Sequence, residues 1–311
     1  MAVRILGFVL VAFLLFVSVA YGLSYWTFRA ETDRSAFVGL YLIYGFPGVL
    51  LTVAGVALAV YGRDNGLAFL GIGLGLTLPL IKPFRCLAAR VTPIDPGSPV
   101  DMSGLCLVLA VVFFLAVTTI LQPDPTTTTQ SVSNSYLILQ VAAFVALAYT
   151  IVGTGFRRTF AGATARLGLA RPSARTVAIG VGFVLLAFVV SAVASGLTAI
   201  AQPQISDEIQ RGLKDMTSDV QNPVGAVVLG LSAGIGEELL FRGALQPRLG
   251  IVLTATFFAL LHTQYGFSFV TLGIFGIGVL LGIERKRFGT TTSITTHAIF
   301  NTIAVLIQTY R

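Results

Sequence analysis

Charge is scarce in this chain. Lys, Arg, Asp and Glu together make up 11% of its 311 residues, less than half of the roughly 25% found in soluble domains. So few charges cannot cover a solvated surface, which excludes an ordinary soluble globule and points to lipid as the main solvent. Cysteine is scarcer still. Cys86 and Cys106 exclude a disulfide framework and a Cys-rich zinc site. Histidine is equally rare, with only His262 and His297. The strand-like alternation of apolar and polar residues is missing too, which excludes a membrane β-barrel.

What the chain does have is apolar length. A bilayer core of about 30 Å needs roughly 20 apolar residues as a helix. Segments 5–26, 35–61, 102–121, 135–156, 176–206 and 266–283 are uncharged, and 288–310 has no Asp, Glu, Lys or Arg. Segment 66–81 is shorter and Gly-rich, while 224–249 and 251–265 are apolar with a few ionisable groups. Since only helices and closed barrels satisfy their backbones in lipid, the expected fold is all-α: a polytopic transmembrane helix bundle of eight to ten spans, ten fitting best. The first segment, with Ser18, Val19 and Ala20 after an apolar stretch, also has the form of a signal peptide. Its run on to Trp26 favours a retained helix.

The positive charge follows topology. Segment 157–176 carries Arg157, Arg158, Arg166, Arg171 and Arg175 without an acid; 82–101 carries Lys82, Arg85 and Arg90; 283–288 holds Glu284, Arg285, Lys286 and Arg287. The positive-inside rule makes these loops cytoplasmic. It explains the net charge of +7 without nucleic acid, and the expected location is the cell membrane, as a multi-pass protein with the lipid bilayer as partner. Segment 201–223 differs. Ile205, Ile209, Leu213, Met216 and Val220 recur at helical spacing opposite Asp207, Glu208, Arg211, Lys214, Asp215 and Asp219. This is an interfacial amphipathic helix, read either as a packing linker or as a lid beside the following helices. Gly71 and Gly75, Gly230 and Gly234, and Gly278 and Gly282 are each four apart, which lets partner helices approach closely.

Ionisable residues inside spans cost about 2.5–3.5 kcal/mol each on insertion scales, so they mark function. They gather at one end of the chain: Glu237, Glu238, Arg242 and Arg248 in 224–249, His262 in the next segment, His297 and Asn301 in the last. Leu249 and Gly250 form the natural turn of a helical hairpin. Glu237 precedes it and His262 follows it by equal lengths, so both lie roughly 18 Å from the turn and share a depth. Glu238 and Arg242 are four apart, acid first, the favoured order for an ion pair. Glu237 has no cation one turn away on its own helix, as a general base requires. A neutral His can orient water or bind a metal, and His297 with Asn301, one turn apart, can supply donors to an oxyanion. Arg248 reads as a snorkelling anchor, and Phe258 as core packing.

These residues also carry a resemblance. Glu237-Glu238-Leu239-Leu240-Phe241-Arg242 resembles the first motif of the CPBP intramembrane proteases, the group that includes type II CAAX prenyl proteases (Rce1-like) and the Abi bacteriocin-immunity proteins. Phe258-Ala259-Leu260-Leu261-His262 is similar to its second motif and His297-Ala298-Ile299-Phe300-Asn301 to its third. The resemblance covers about 224–309. It implies a peptidase, an intramembrane endopeptidase acting on a membrane-associated protein or peptide, prenylated substrates included. Glu237 and His262 would activate water, Arg242 would hold Glu238, and His297 and Asn301 would stabilise the oxyanion. The group admits a metal-free glutamate mechanism or a zinc site, for which Glu237, His262 and His297 are the candidate ligands. On this reading 135–311 is the protease core and 1–134 an extension of about four spans. The alternatives are a proton-coupled transporter using Glu237 and His262 as a relay, and a non-catalytic membrane scaffold or immunity protein.

Overall fold

A computed structural model describes residues 2–63, 65–122, 124–125 and 131–310, with side chains from residue 11 onward within them. The threonine tract at 126–129 and the Arg4 side chain lie outside the described residues. Thirteen α-helices and no strand occur among those described: α1 Ala2–Arg29, α2 Arg34–Val60, α3 Asn65–Thr77, α4 Lys82–Ala88, α5 Pro99–Leu121, α6 Asn134–Ile151, α7 Phe160–Arg166, α8 Ala174–Ala201, α9 Pro203–Thr217, α10 Pro223–Glu237, α11 Gln246–Leu260, α12 Phe269–Phe288 and α13 Thr290–Thr309. The expected all-α bundle is the fold found.

The helices begin where the sequence offers a cap. The side chains of Ser98, Ser133, Thr159, Ser173, Asn222 and Ser268 each accept a backbone N–H of the helix that follows, satisfying donors that a helix start leaves unpaired. Pro99, Pro203 and Pro223 occupy first turns, where no N–H is missed.

By length and composition six described helices can cross a membrane, or seven if the bent pair 65–80 and 82–88 counts as one span. This is fewer than the eight to ten expected, and three causes account for the difference. Residues 223–260 run as one continuous 38-residue helical stretch, which counts once although it turns back at Gly250. α12 ends in Glu284, Arg285, Lys286 and Arg287, and α13 starts Thr-Thr-Thr-Ser, which lowers the apolarity of both 20-residue helices. Segment 66–81 is bent by 93° against α4.

The long stretch is itself broken. Gly250 has φ 81° and ψ 170°, in the left-handed region that glycine alone adopts without strain. The chain doubles back there: Phe241, eight or nine residues before the break, packs its ring 5.4 Å from both Phe257 and Phe258 after it. The hairpin expected at Leu249–Gly250 is therefore present. Between α10 and α11 lies a π-helix, Glu238–Leu245, which the apolar pattern gave no reason to expect.

Three packings position this hairpin. α10 lies against α13 through Gly230 and Gly234; a Cβ on Gly234 would stand 2.8 Å from the Cβ of Ala298, so only glycine lets α13 come this close. Gly278 and Gly282 of α12 meet Ala255, Phe258 and Ile251 of α11 in the same way. α5 shares a core with the hairpin: Leu105, Val108, Leu109 and Val112 pack with Leu249. Arg248, read above as a snorkelling anchor, instead pairs with the buried Asp101 of α5 at 2.5 Å. A buried carboxylate is a better partner than a distant headgroup, because an unpaired charge there would be costly.

The amphipathic segment is a helix as expected. α9 buries Ile209 and leaves Asp207, Arg211, Lys214 and Asp215 exposed. It is fastened at both ends: Gln202 Nε2 donates to Phe267 O at 3.1 Å and Thr217 Oγ1 to Gln308 Oε1 at 3.1 Å. Its neighbours include the short 3₁₀ turn Thr263–Tyr265 immediately after His262.

Candidate active site

The end of α10, the π-helix, the end of α11 and the middle of α13 meet around one buried cluster. Glu238, the first π-helical residue, is fully buried. Arg242 Nη1 lies 2.9 Å from Glu238 Oε1, with both side chains at most 1% exposed. No hydrogen bond is directed along this contact, so the pair is held electrostatically. Arg242 Nη2 donates to Gly278 O at 3.3 Å. Its guanidinium also lies 4.4 Å from the centre of the Phe258 ring, a cation–π distance. The ion pair expected from the four-residue spacing is thus formed.

His297 joins the two glutamates. Its Nδ1–H donates to Glu238 Oε1 at 2.9 Å, and its Nε2 lies 3.9 Å from Glu237 Oε2. Glu238 therefore faces two positive or donating groups, while Glu237 faces only the far side of the imidazole. Glu237 Oε2 is buried and has no hydrogen-bond partner among the described residues, although 16% of the Glu237 side chain remains exposed. The adjacent carboxylates differ in surroundings: Glu238 is bonded through Oε1 and wholly sealed, while Glu237 is partly open.

His262 lies two residues beyond the end of α11 and has left helical geometry, with φ −90° and ψ 55°. Its Nδ1–H donates to Phe258 O at 2.7 Å. A carbonyl can only accept, so Nδ1 carries the hydrogen and the neutral ring presents the Nε2 lone pair. Glu237, His297 and Arg242 all lie within electrostatic reach of His262. Phe258 is the common wall: its ring is 4.7 Å from that of His262 and 5.9 Å from that of His297. Packing alone, the expectation for Phe258, understates a ring that lies against Arg242, His262 and His297, the one cation and two imidazoles of the motifs. Asn301 is partly buried one turn beyond His297 on α13, and its side chain makes no hydrogen bond to another described residue.

The zinc set fares worse. The Nδ1 hydrogen bonds of both histidines would leave Nε2 for a metal, the usual arrangement around zinc. Among the described residues, however, no group of three His, Cys, Asp or Glu side chains is placed closely enough to hold a metal ion.

Two neighbours escaped the sequence reading. Tyr265 lies nearly parallel to His262, with ring centres 6.2 Å apart. Glu284 is fully buried and accepts the Thr296 hydroxyl at 2.6 Å. By charge count alone it groups with the basic end of α12 as a topology signal. Its position was legible: Ile277, Leu281 and Glu284 fall at i, i+4 and i+7, and all three are buried, whereas Lys286 and Arg287 are exposed.

No curated protein and no solved structure matches the chain. A family model does, over residues 219–303, and its description is type II CAAX prenyl endopeptidase, Rce1-like. The matched segment contains the two glutamates, Arg242, Phe258, both histidines and Asn301. With the apolar helices it marks a multi-pass membrane protein of a peptidase family. By that match, residues 219–303 of this chain are similar to the Rce1-like type II CAAX prenyl endopeptidases.

Proposed function

We propose that this protein hydrolyses a peptide bond of a membrane-associated protein or peptide, with Glu237 as the general base. The observation that carries the reading is the contrast between the two glutamates. Glu238 is held through Oε1 by Arg242 and by His297 Nδ1, both at 2.9 Å, with its Oε2 sealed away, whereas the Glu237 side chain is 16% exposed and its Oε2 lies 3.9 Å from His297 Nε2 without a hydrogen bond. A carboxylate with free lone pairs in a water-poor site can take a proton from a bound water.

The roles follow from the atoms. Water donates one hydrogen to Glu237 and another to the Nε2 lone pair of His262. As its oxygen attacks the scissile carbonyl, the proton passes to Glu237, and the C=O electron pair moves to oxygen. The oxyanion is met by the Asn301 amide and by His297. Since His297 Nδ1–H is already given to Glu238, His297 donates from Nε2 in the state in which both ring nitrogens carry hydrogen. Collapse of the intermediate breaks the C–N bond, and Glu237 returns its proton to the leaving nitrogen. Arg242 and Glu238 are positioning residues in this scheme. α9, packed against the turn after His262, is a candidate lid at the membrane interface.

The test is Glu237→Gln in a quantitative cleavage assay in liposomes on a verified peptide substrate. The variant keeps the shape and loses the base, so folding survives and turnover falls by about 10²–10⁴-fold. Near-normal turnover in the folded variant removes Glu237 from the chemistry. A dead, well-folded Glu238→Gln beside an active Glu237→Gln would exchange the roles of the two carboxylates.

A further inference from the structure

The ends of α8, α12 and α13 on the arginine-rich side of the bundle enclose a second cavity. It holds about 280 Å³ and is lined by Arg175, Thr176, Ile179, Arg287, Phe288 and Thr292. None of these residues belongs to the glutamate–histidine cluster. The walls are tied together by contacts of their own. Phe183 of α8 meets Phe288 of α12 with ring centres 6.1 Å apart. Thr296 of α13 donates to Gly180 O of α8 at 3.2 Å. The hollow is therefore built by three packed helices.

Its charge is unbalanced. Two guanidinium groups from two different helices line one cavity, and among the described residues neither lies within ion-pair distance of a carboxylate. The acid of the same helix end, Glu284, is buried and takes the Thr296 hydroxyl instead. Like charges brought together without a counter-ion repel. An anion between them turns that repulsion into attraction, and the planar guanidinium fork matches phosphate oxygens in pairs. Arg175 also stands in the first turn of the 28-residue α8, where the helix end adds positive field.

The surroundings say what the phosphate is attached to. From the rim of the cavity Val177, Val181 and Leu185 run along α8 at i, i+4 and i+8, exposed by 43%, 46% and 66%. Phe288, at the rim itself, is 40% exposed. Such a stripe is solvated by acyl chains, and a basic hollow between helices at the head of it has the form of a lipid headgroup site. We propose that this cavity binds the headgroup of an anionic phospholipid, its phosphate between Arg175 and Arg287 and an acyl chain along the Val177, Val181 and Leu185 stripe. The proposal is independent of the peptidase reading.

The experiment measures lipid binding to the full-length protein by native mass spectrometry, titrating phosphatidylglycerol or phosphatidylcholine into detergent micelles. Phosphatidylglycerol is expected to bind preferentially. In Arg175→Gln/Arg287→Gln its affinity should fall about thirtyfold, the effect of two arginines at a membrane surface. Arg171→Gln/Lys286→Gln removes the same charge outside the cavity and should bind as the wild type does. An inorganic phosphate arm separates a lipid site from a free-anion site, and phosphate at the lipid's concentration should displace nothing. Equal binding of the two lipids by the wild type overturns the proposal, and that comparison needs no variant. So does an equal loss in both double variants, which would mean a diffuse surface field. Displacement by inorganic phosphate would make the cavity a free-anion site and overturn the lipid assignment.

Discussion

Consider Arg242→Ala. In the folded protein Arg242 Nη1 lies 2.9 Å from Glu238 Oε1, and both side chains are sealed from solvent. At an effective dielectric constant of about 20, two unit charges at 2.9 Å attract by about 6 kcal/mol. The desolvation of both ions offsets much of this, so the pair itself adds little net stability. Removing one partner is another matter, because Glu238 would stay buried without its cation. Breaking a buried pair this way costs about 3–5 kcal/mol, against a total stability of about 5–15 kcal/mol. Removing the guanidinium also strips the cation from the face of Phe258, 4.4 Å away. Arg242→Ala should therefore lower the unfolding midpoint in detergent sharply and reduce the yield of folded protein. Glu238→Leu/Arg242→Met removes both charges and should recover most of that stability. It should remain inactive, because His297 Nδ1 loses its acceptor. The assay is denaturant or thermal unfolding of purified protein, followed by helicity, beside peptide cleavage. An Arg242→Ala protein as stable as the wild type would refute the reasoning, as would a double variant no more stable than the single one.

Three further outcomes follow from the same geometry. His262→Ala should lower turnover by about 10²–10⁴-fold and Asn301→Ala by about 10²–10³-fold, both with folding intact; cleavage by stopped or quenched assay reads both, and full activity in either removes that residue from its role. Gly234→Leu places a side chain where a Cβ alone would be 2.8 Å from Ala298. Overpacking of this kind costs about 1–3 kcal/mol, and because α13 must retreat with His297, kcat should fall more than stability; an unaltered rate in a stable variant would contradict the packing. Asp101→Asn breaks the contact with Arg248, which is 30% exposed, so the loss should sit near the low end of about 1.5–3 kcal/mol for a charged hydrogen bond, read as a lower unfolding midpoint with kcat unchanged.

Much of this molecule is legible in its sequence, because lipid imposes simple demands. Uncharged runs become helices since nothing else satisfies the backbone there. The four-residue spacing of Glu238 and Arg242 becomes an ion pair, and the glycine pair on α10 becomes the face that admits α13. Gly250 could be read as a turn because an equal length of apolar helix stands on each side. What stayed hidden depends on partners far along the chain. Arg248 meets Asp101, 147 residues away, and no local pattern reports that. Glu284 was masked by its basic neighbours, since a charge count ignores which face each residue occupies. The span count differs because 223–260 is continuous helix although it doubles back at Gly250, and because the threonine-rich start of α13 is less apolar than a charge count suggests. The π-helix has no signature in apolar periodicity, because almost every position of Glu238–Leu245 is buried and no face stands out.

That π-helix sets the register of the whole constellation. A π stretch closes its hydrogen bonds one residue later than an α-helix does, so it stores surplus chain in the hairpin arm between Glu237 and Gly250. Deleting a single residue between Leu239 and Leu245 removes that surplus, so the stretch can return to ordinary α geometry with α10 and α11 nearly in register. The same deletion within α11, between Ile251 and Phe257, has no surplus to draw on and turns one side of the break by about 100° against the other. His262 would then swing away from Glu237. The π stretch is therefore a buffer of register, and a one-residue deletion in α11 should abolish cleavage where one in 239–245 costs less.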